Sequence, residues 1–486
     1  MAKEQGITVK KDQDFSEWYT QVIEKAELAD IRFGVQGFLV HRPYGFQIIR
    51  KIYEYLEKEI EDDNHVPFLF PTVVKEENLK KEKEHAGFTP NVFWVTEAGS
   101  EKIEERFALR PTGEAQIYPL YSLWLRSHRD LPFKGYQSRI SAFRNEMTTR
   151  PFLRGREFLF FESHDVFNTH EEALEQIETD LKICKTVIYD KLKIPFLYFK
   201  RPQFDKFKGA DSTFTPDALM PDGKRIQLAS THDLGQNFSK AFNIKIMTKE
   251  RKEEYAWQTC FGPGIWRIIA SLIGIHGDDN GLVLPFDVAP VQIVIIPVLF
   301  GKEDRLILKK CKEIKEQLSN YRIKLDDREG YTPGYKYNEW ELKGVPLRIE
   351  IGPRDLKENK AVLVKRTDKS KIPVKFKDLK KEIEKQIQSI DKEIKSKADK
   401  YFKDNTKEAN TFEELKKIIQ AHRGFVKVPF CSINLDGEKC ADKIKEKISA
   451  DVSGTLYPKE EKVKPNSKCV SCNKKANHIV YVAKSY

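Results

Sequence analysis

Residues 137–167 read QSRISAFRNEMTTRPFLRGREFLFFESHDVF, and this stretch decides the fold of the first half of the chain. Its two ends, QSRISAFRNE and EFLFFESHDVF, have the composition of strands. The segment between them, MTTRPFLRGR, contains Pro151, Gly155 and three arginines. The pattern therefore predicts two antiparallel strands joined by a basic loop, within a mostly antiparallel sheet flanked by helices.

This predicted hairpin carries side chains suited to a nucleotide. Because side chains alternate along a strand, Arg144 and Glu146 are expected on one face. An arginine fork can grip an α-phosphate, and a carboxylate can accept from an adenine amino group. Phe158 could lie flat on the purine, while Arg154 or Arg156 reaches the distal phosphates. Taken alone, an R-x-E pattern is more often a surface hairpin with scattered salt bridges.

Two further motifs combine glycines with polar side chains. GPGIWR (262–267) heads an apolar helix, and its glycines would let the backbone approach a ligand closely. Arg267 projects from the first turns of that helix, although such a motif is more often a simple turn. In LRPTGE (109–114), Thr112 and Glu114 form a hydroxyl–carboxylate pair able to hold an ammonium group. In isolation, this motif is more often a turn that caps a helix.

Outside these motifs, apolar periodicity predicts the first helices. Residues 15–27 have helical spacing, and a second helix follows Pro43. Its apolar stripe is predicted to be Phe46, Ile49, Tyr53, Leu56 and Ile60. HVPFLFP (65–71) is interpreted as a strand closed by a proline.

The pattern changes near residues 285–290. Beyond them strands and helices alternate, which is typical of a separate small α/β domain. A long lysine-rich helix is predicted for residues 376–404. We therefore predict an α+β chain with three domains: an antiparallel-sheet domain at 1–287, an α/β domain at 288–405 and a small C-terminal α+β domain at 406–486.

Composition narrows the class of protein. The chain of 486 residues has 85 Lys and Arg against 74 Asp and Glu, a net charge of +11. This excess is compatible with a polyanionic partner such as RNA, and equally with a well-solvated lysine-rich surface.

The longest apolar run, Val291–Phe300, is too short to span a bilayer, which needs about 20 residues. An odd number of cysteines, seven, does not suit a secreted disulfide framework and predicts a reducing cytoplasm.

Four of those cysteines cluster near the C-terminus. Their spacing is Cys431-x8-Cys440-x28-Cys469-x2-Cys472. Four thiolates suit a closed, structural zinc site rather than a catalytic one. The alternatives are reduced cysteines or a partly degenerate site.

The order and spacing of these motifs resemble the class II aminoacyl-tRNA synthetases. Four longer stretches are more specific: ALRPTGEAQIYPLYSLWLRSHRDLP (108–132), RPFLRGREFLF (150–160), STHDLGQNFSKAF (230–242) and YTPGYKYNEWELKGVPLRIEIGPRDL (331–356). Through them the chain resembles prolyl-tRNA synthetases of the archaeal and eukaryotic type, over essentially its whole length.

The resemblance implies a proline–tRNA ligase that forms prolyl-adenylate from L-proline and ATP with Mg²⁺, then charges tRNA(Pro). Arg144 and Arg267 would be the catalytic residues. The implied proline-binding residues are Thr112, Glu114, Arg144, Glu162, His232 and Cys260. The implied ATP-binding residues are Arg144, Glu146, Arg154, Gly155, Arg156, Phe158, Gln227, Ser230 and Arg267. The chain departs from the family in having Ser-Thr-His at 230–232 where Thr-Ser-His is usual, and PTGE where others have PTSE.

The resemblance also assigns the other domains. Residues 288–405 would read the anticodon, with Glu350, Arg354 and Lys365 as candidates for guanine recognition, unless these are ordinary strand-edge charges. The cysteine quartet would hold a structural zinc, and the carboxylate of Tyr486 would tuck back toward the active site. A homodimer is expected, with the helix from Pro43 and the strand that ends at Pro71 at the subunit contact. No inserted editing domain is expected between residues 162 and 262.

Two other interpretations compete with this one. The threonyl enzyme has the same domain order, but it is built around a zinc ligated by cysteine and histidine in its amino-acid pocket, whereas the cysteine quartet here lies far downstream. A catalytically silent paralogue that only binds RNA would lack key side chains. Arg144, Glu114 and Arg267 are all present, which favours an enzyme.

Overall fold

A computed structural model describes residues 6–86, 91–421 and 424–486 of the chain. The α-helices are α1 (Phe15–Lys25), α2 (Pro43–Asp62), α3 (Glu76–Ala86), α4 (Glu114–Trp124), α5 (His170–Cys184), α6 (Asn237–Ala241), α7 (Ile265–Ser271), α8 (Asp304–Gln317), α9 (Pro333–Leu342), α10 (Pro353–Lys357), α11 (Leu379–Asp404), α12 (Phe412–Ala421) and α13 (Glu438–Ile448). Short 3-10 helices lie at His128–Asp130, Phe376–Asp378 and Leu435–Gly437, and π-helical turns extend α5 and α7 over Lys185–Lys191 and Leu272–His276.

The strands in the first part of the chain are β1 (Ala29–Asp30), β2 (Val40–His41), β3 (Val66–Pro67), β4 (Val73–Lys75), β5 (Trp94–Ala98), β6 (Glu101–Leu109), β7 (Phe133–Phe143), β8 (Glu157–Phe167), β9 (Leu197–Lys200), β10 (Ser212–Leu219), β11 (Arg225–Gln227), β12 (Ala229–Gly235), β13 (Lys245–Met247), β14 (Glu253–Tyr255) and β15 (Trp257–Pro263). The later strands are β16 (Ile293–Pro297), β17 (Ile323–Leu325), β18 (Leu347–Ile351), β19 (Lys360–Lys365), β20 (Lys371–Lys375), β21 (Thr406–Glu408), β22 (Phe425–Phe430), β23 (Asp451–Leu456) and β24 (His478–Ala483).

A 12-stranded sheet organises the molecule, with the order β21-β22-β24-β23-β9-β10-β12-β15-β8-β7-β3 and β11 beside β10. The predicted hairpin is confirmed as the antiparallel pair β7 and β8. The first strand was predicted to continue to Glu146, and this was wrong, because β7 ends at Phe143. Arg144 and Glu146 therefore lie in the loop, where the main-chain N–H of Arg144 still donates to the Arg156 carbonyl.

The predicted early helices are confirmed as α1 and α2. Both bury their apolar stripes against α7 and its π-helical extension. Phe46 was wrongly placed on the buried stripe of α2, since its side chain is exposed. The predicted strand at 65–71 is also too long, because only Val66 and Pro67 pair with β7, in parallel, at the edge of the large sheet.

The α/β pattern after residue 290 forms a separate sheet in the order β17-β16-β18-β19-β20. Strands β16, β17 and β18 are parallel, and β19 and β20 add antiparallel edges. The long lysine-rich helix is confirmed as α11, whose apolar side packs on this sheet.

The C-terminal part joins the first sheet rather than standing apart. Strand β23 pairs antiparallel with β9, so the C-terminal strands extend the large sheet. The domain bounds predicted above stay a prediction. Among the described helices, none combines the length and the apolar character needed to cross a membrane.

Candidate active site

The candidate site lies on one face of the strands β8, β15 and β12. Direct cross-strand pairing aligns His164 of β8 with Cys260 of β15, and Cys260 with His232 of β12. Because side chains alternate in a strand, Glu162 and Ser230 point to this same face. The first turn of α4 brings Glu114 over it.

A cavity of about 370 Å³ opens above these strands. Its wall includes Thr112, Glu114, Arg144, Glu146, Arg154, Gly155, Phe158, Glu162, Gln227, Ser230, His232, Cys260 and Arg267. The structure thus brings together nearly all of the predicted proline-binding and ATP-binding residues. Arg156 lies beside the cavity instead, where its Nε donates to the Glu146 carbonyl at 3.0 Å.

One end of the cavity is a buried acidic pocket. The Glu114 carboxylate accepts from Thr112 Oγ1 at 2.5 Å and from the Cys260 thiol at 3.9 Å. Behind it, Glu162 accepts from the main-chain N–H of Gly113 at 3.0 Å and from Gln137 Nε2 at 2.6 Å. Both carboxylates are almost fully buried. Buried carboxylates are costly without a counter-charge, so the pocket suits a small ammonium group.

Sequence reasoning missed His164, which is fully buried at the floor of this pocket. Its Nε2 lies 3.0 Å from Glu162 Oε2, and its Nδ1 lies 2.9 Å from the Tyr118 hydroxyl. Burial opposes its charging, but Glu162 and Glu114 raise its pKa overall. The signal was available, because His164 follows Glu162 by two residues on a strand.

The pKa of His232 shifts in the opposite direction to that of His164. Burial, and then the neighbouring His164, lower its pKa to about 3. Its Nδ1 lies 3.0 Å from Thr213 Oγ1, and the Phe207 ring packs at 4.9 Å between centroids. His232 is therefore a neutral, shape-defining wall of the acidic pocket.

The other end of the cavity is basic. Burial, and then repulsion from Arg144 and Arg154, lower the pKa of Arg267 to about 10. Two guanidinium groups are thus near enough to repel that of Arg267, which is the electrostatic character of an anion site. Glu146 Oε2 offsets part of this charge, 3.7 Å from Arg154 Nη1. Gly155 is required for close packing, since a Cβ there would sit 2.4 Å from the Trp266 ring.

Comparison with known proteins identifies the family. Residues 93–276 match the tRNA synthetase class II core domain (G, H, P, S and T), residues 292–386 match an anticodon binding domain, and residues 412–486 match the prolyl-tRNA synthetase C-terminal domain. The proline–tRNA ligase of Thermofilum pendens is 50% identical to this chain, covering 99% of this chain and 100% of the relative. The chain belongs to the prolyl-tRNA synthetase family. It is by family a class II synthetase and a proline–tRNA ligase.

Other prolyl-tRNA synthetases are similar to this chain in sequence and structure. The proline–tRNA ligase of Methanopyrus kandleri is 40% identical over 97% of this chain and 96% of its own length. Giardia lamblia prolyl-tRNA synthetase, solved with prolyl-adenylate, has a TM-score of 0.94 at 34% identity, covering 99% of this chain and 100% of that one. The Cryptosporidium parvum enzyme, solved with halofuginone and AMPPNP, has a TM-score of 0.93 at 33% identity, with the same coverage. These matches confirm the predicted family and fold class, and they decide against the threonyl alternative.

The cysteine quartet lies in the region that matches the prolyl-tRNA synthetase C-terminal domain. The four sulfur atoms lie within 4.8 Å of one another, with 3.6 Å between those of Cys431 and Cys440. Burial opposes ionisation of Cys472, but the Lys474 N–H and the neighbouring thiols lower its pKa. Four converging sulfurs with one favoured thiolate fit a tetrahedral zinc site.

The anticodon-domain candidates do not form one cluster. Glu350 pairs with Arg348 at 2.8 Å, and Arg348 lies over the Tyr337 ring of α9. Lys365 Nζ faces the other side of the sheet, bound to Glu393 of α11 at 2.6 Å. Arg354 is exposed and pairs with Glu358 at 2.8 Å. Of the three, Arg354 has the side chain most available to an RNA partner.

Proposed function

We propose that this chain activates L-proline with ATP and transfers the prolyl group to the 3′ end of tRNA(Pro). One observation carries the proposal: a single cavity joins the buried Glu114 carboxylate to the arginine cluster of Arg144, Arg154 and Arg267. An amino acid bound by its ammonium group at one end would present its carboxylate to a nucleotide phosphate at the other. Relatives solved with prolyl-adenylate and AMPPNP support this use of the cavity.

The proposed chemistry needs positioning more than covalent help. The proline carboxylate attacks the α-phosphorus of ATP in line, and pyrophosphate leaves. Arg144 and Arg267, with the Mg²⁺ that accompanies ATP, stabilise the charge that builds on the phosphoryl oxygens. A hydroxyl of the terminal adenosine of tRNA then attacks the prolyl carbonyl, and AMP leaves.

In the acidic pocket, Thr112 and Glu114 would hold the proline nitrogen, and His232 and Cys260 would border the ring. Glu162 would keep the Gly113 turn in place through its hydrogen bond to the Gly113 N–H. In the nucleotide half, Phe158 would stack on adenine, and Glu146, Gln227 and Ser230 would supply polar contacts. Arg156 would act indirectly, because its side chain holds the Glu146 carbonyl.

The tRNA would be read by the domain matched at residues 292–386. The net charge of +11 favours binding to a polyanion. Within the predicted set, Arg354 would contact RNA directly, and Glu350 could accept from a base edge once Arg348 moves. Lys365 would have to leave Glu393 to do the same.

A homodimer is part of the proposal. Strand β3 ends the large sheet, and the exposed apolar side chains of Leu69, Leu123 and Trp124 lie near this edge. The ring of Phe70 meets that of Trp124 at 5.9 Å, which joins the segment after β3 to the end of α4. Exposed apolar groups of this kind are typical of protein interfaces.

The remaining proposals concern zinc, editing and location. A structural zinc on the cysteine quartet should contribute one equivalent of zinc per chain by elemental analysis. Cys472→Ser should lose this equivalent and Cys311→Ser should keep it. We also propose that the chain has no editing domain, so the purified enzyme should not rapidly deacylate alanyl-tRNA(Pro). All seven cysteines lie within the described residues and none of them forms a disulfide, which supports a reducing compartment such as the cytoplasm.

Charging of a tRNA(Pro) transcript with labelled proline tests the proposed function. In Glu114→Gln, the KM for proline should rise by about 30-fold or more, because loss of one partner of a buried charge pair costs about 2–5 kcal/mol. Glu253→Gln makes the same substitution at an exposed glutamate, and this control variant should charge tRNA(Pro) normally. Absence of prolyl-tRNA with the unaltered enzyme would overturn the proposal.

A further inference from the structure

Three potential metal ligands converge at the floor of the acidic pocket. Glu114, His164 and Cys260 each place a ligand atom within 4.8 Å of the other two, and all three residues are buried. They come from three elements, since His164 and Cys260 are directly paired on β8 and β15 and Glu114 begins α4.

The donor set has the chemistry of a zinc site with an open position. Zinc binds thiolate, imidazole and carboxylate at about 2.0–2.3 Å, and catalytic sites keep three protein ligands plus one exchangeable position. Glu114 Oε1 and Cys260 Sγ lie 3.9 Å apart, close to the edge of such a tetrahedron. Glu114 and Cys260 also line the cavity, so the fourth position would face the substrate space.

The surroundings favour a cation there. Glu162 adds a second buried carboxylate beside His164. The Tyr118 hydroxyl lies 2.9 Å from His164 Nδ1. Once His164 Nε2 turns from Glu162 to a metal, that hydroxyl can accept from Nδ1–H, the usual outer contact of a metal-bound histidine.

We propose that Glu114, His164 and Cys260 bind Zn²⁺ when the amino-acid pocket is empty. Burial keeps the free Cys260 protonated, so binding forms a Zn–S bond and releases the thiol proton to solvent. The same Glu114 carboxylate is proposed to hold the proline nitrogen, so zinc and proline exclude each other. Only this competition rests on the proposed function; the metal site does not.

Equilibrium dialysis of the full chain against Zn²⁺ tests the site, with bound metal measured by elemental analysis. The unaltered protein should hold one equivalent more than Cys260→Ala and Cys260→Ser, while Cys311→Ala, another buried cysteine, should match the unaltered protein. Thermal unfolding of each variant checks its fold. Equal zinc content in the unaltered protein and both Cys260 variants would overturn the metal site.

Saturating L-proline should remove the extra equivalent, while the same concentration of glycine controls for chelation of zinc by free amino acid. In ATP–pyrophosphate exchange, Zn²⁺ should raise the apparent KM for proline without lowering kcat. Cys260→Ala should weaken this inhibition by at least about tenfold, since loss of even an outer contact costs a metal site that much. Zinc that binds through Cys260 in an enzyme not stimulated by proline would contradict the proposed function and leave the metal site standing.

Discussion

The Nη2 atom of Arg154 donates a hydrogen bond of 3.3 Å to a terminal oxygen of Tyr486, a residue 332 positions later in the chain. The Arg225 N–H donates to the Lys484 carbonyl at 2.7 Å and anchors the tail. The ammonium group of Lys224 lies 4.8 Å from the centre of the Tyr486 ring. Tyr486 thus contacts an arginine in the wall of the basic half of the cavity.

Removal of Tyr486 should therefore weaken ATP binding. Without Tyr486, Arg154 loses the hydrogen bond to its main-chain oxygen, and the KM for ATP should rise by about three- to tenfold, as expected for a typical hydrogen bond of about 0.5–1.5 kcal/mol. Tyr486→Phe keeps the ring and the main-chain oxygen that accepts from Arg154 and should behave normally. ATP-dependent pyrophosphate exchange measures both, and equal KM values for the deletion and the unaltered enzyme would contradict the role.

Gly113→Ala should damage the acidic pocket. A Cβ at this position would lie 2.2 Å from Glu162 Oε1, so Glu162 or the 111–114 turn must move. The KM for proline should rise by about tenfold or more, the scale expected for misplaced binding groups. Gly334→Ala, where a Cβ meets no heavy atom within 4 Å, is the matched control. Steady-state exchange kinetics would contradict the prediction if both variants bound proline equally well.

Asp180 should make stability depend on pH. It lies behind the pocket, accepting from Thr231 and from Gln176 Nε2, and burial followed by Asp165 raises its pKa from 3.8 to about 7. Between these values the unfolded chain has lost the proton that the folded chain retains, so stability falls as pH rises through this window and levels off above it.

Asp180→Asn should remove this slope. Relative to that variant, the unaltered enzyme should lose about 2–3 kcal/mol between pH 5 and 7, at about 1.4 kcal/mol per pH unit. Urea midpoints across this range measure it. Asp190→Asn changes an exposed carboxylate and should follow the unaltered enzyme. Parallel pH profiles for all three proteins would exclude the effect.

Leu123→Glu should weaken the proposed dimer. A charge in an apolar interface leaves an unpaired buried group, so the dissociation constant of the dimer should rise by about tenfold or more. Leu306→Glu alters an equally exposed leucine of the anticodon domain and should leave the mass unchanged. Sedimentation at micromolar concentrations measures the mass of each variant and of the unaltered protein. A monomeric mass for the unaltered protein would refute the dimer itself.

Local patterns in the sequence predicted the parts of the fold that depend on local periodicity. The stripes of α1 and α11 and the hairpin of β7 and β8 follow from spacing alone. The family resemblance located the cavity wall, which periodicity could not do. His164 was missed although the alternation placed it on the same face as Glu162, because its role depends on Tyr118 and Glu162, whose contacts only the structure shows.

The failures share one cause, which is dependence on distant partners. The main-chain N–H of Arg156 is held by Gly37, a contact that local spacing cannot reveal. Lys365 is bound by Glu393, 28 residues later, and so faces α11. Phe46 is exposed because α2 packs its neighbour Gly45 against the main chain of Leu28, 17 residues earlier, and buries Ile48 on that side.

The proposed function depends on the activation of proline in this cavity. ATP–pyrophosphate exchange measured with each of the twenty amino acids in turn tests it most directly. We expect strong stimulation by L-proline and stimulation by alanine that is at least about 30-fold weaker, since alanine lacks two of the ring methylenes of proline and each costs about 1–3 kcal/mol. Stronger stimulation by any other amino acid, or none by proline, would contradict it.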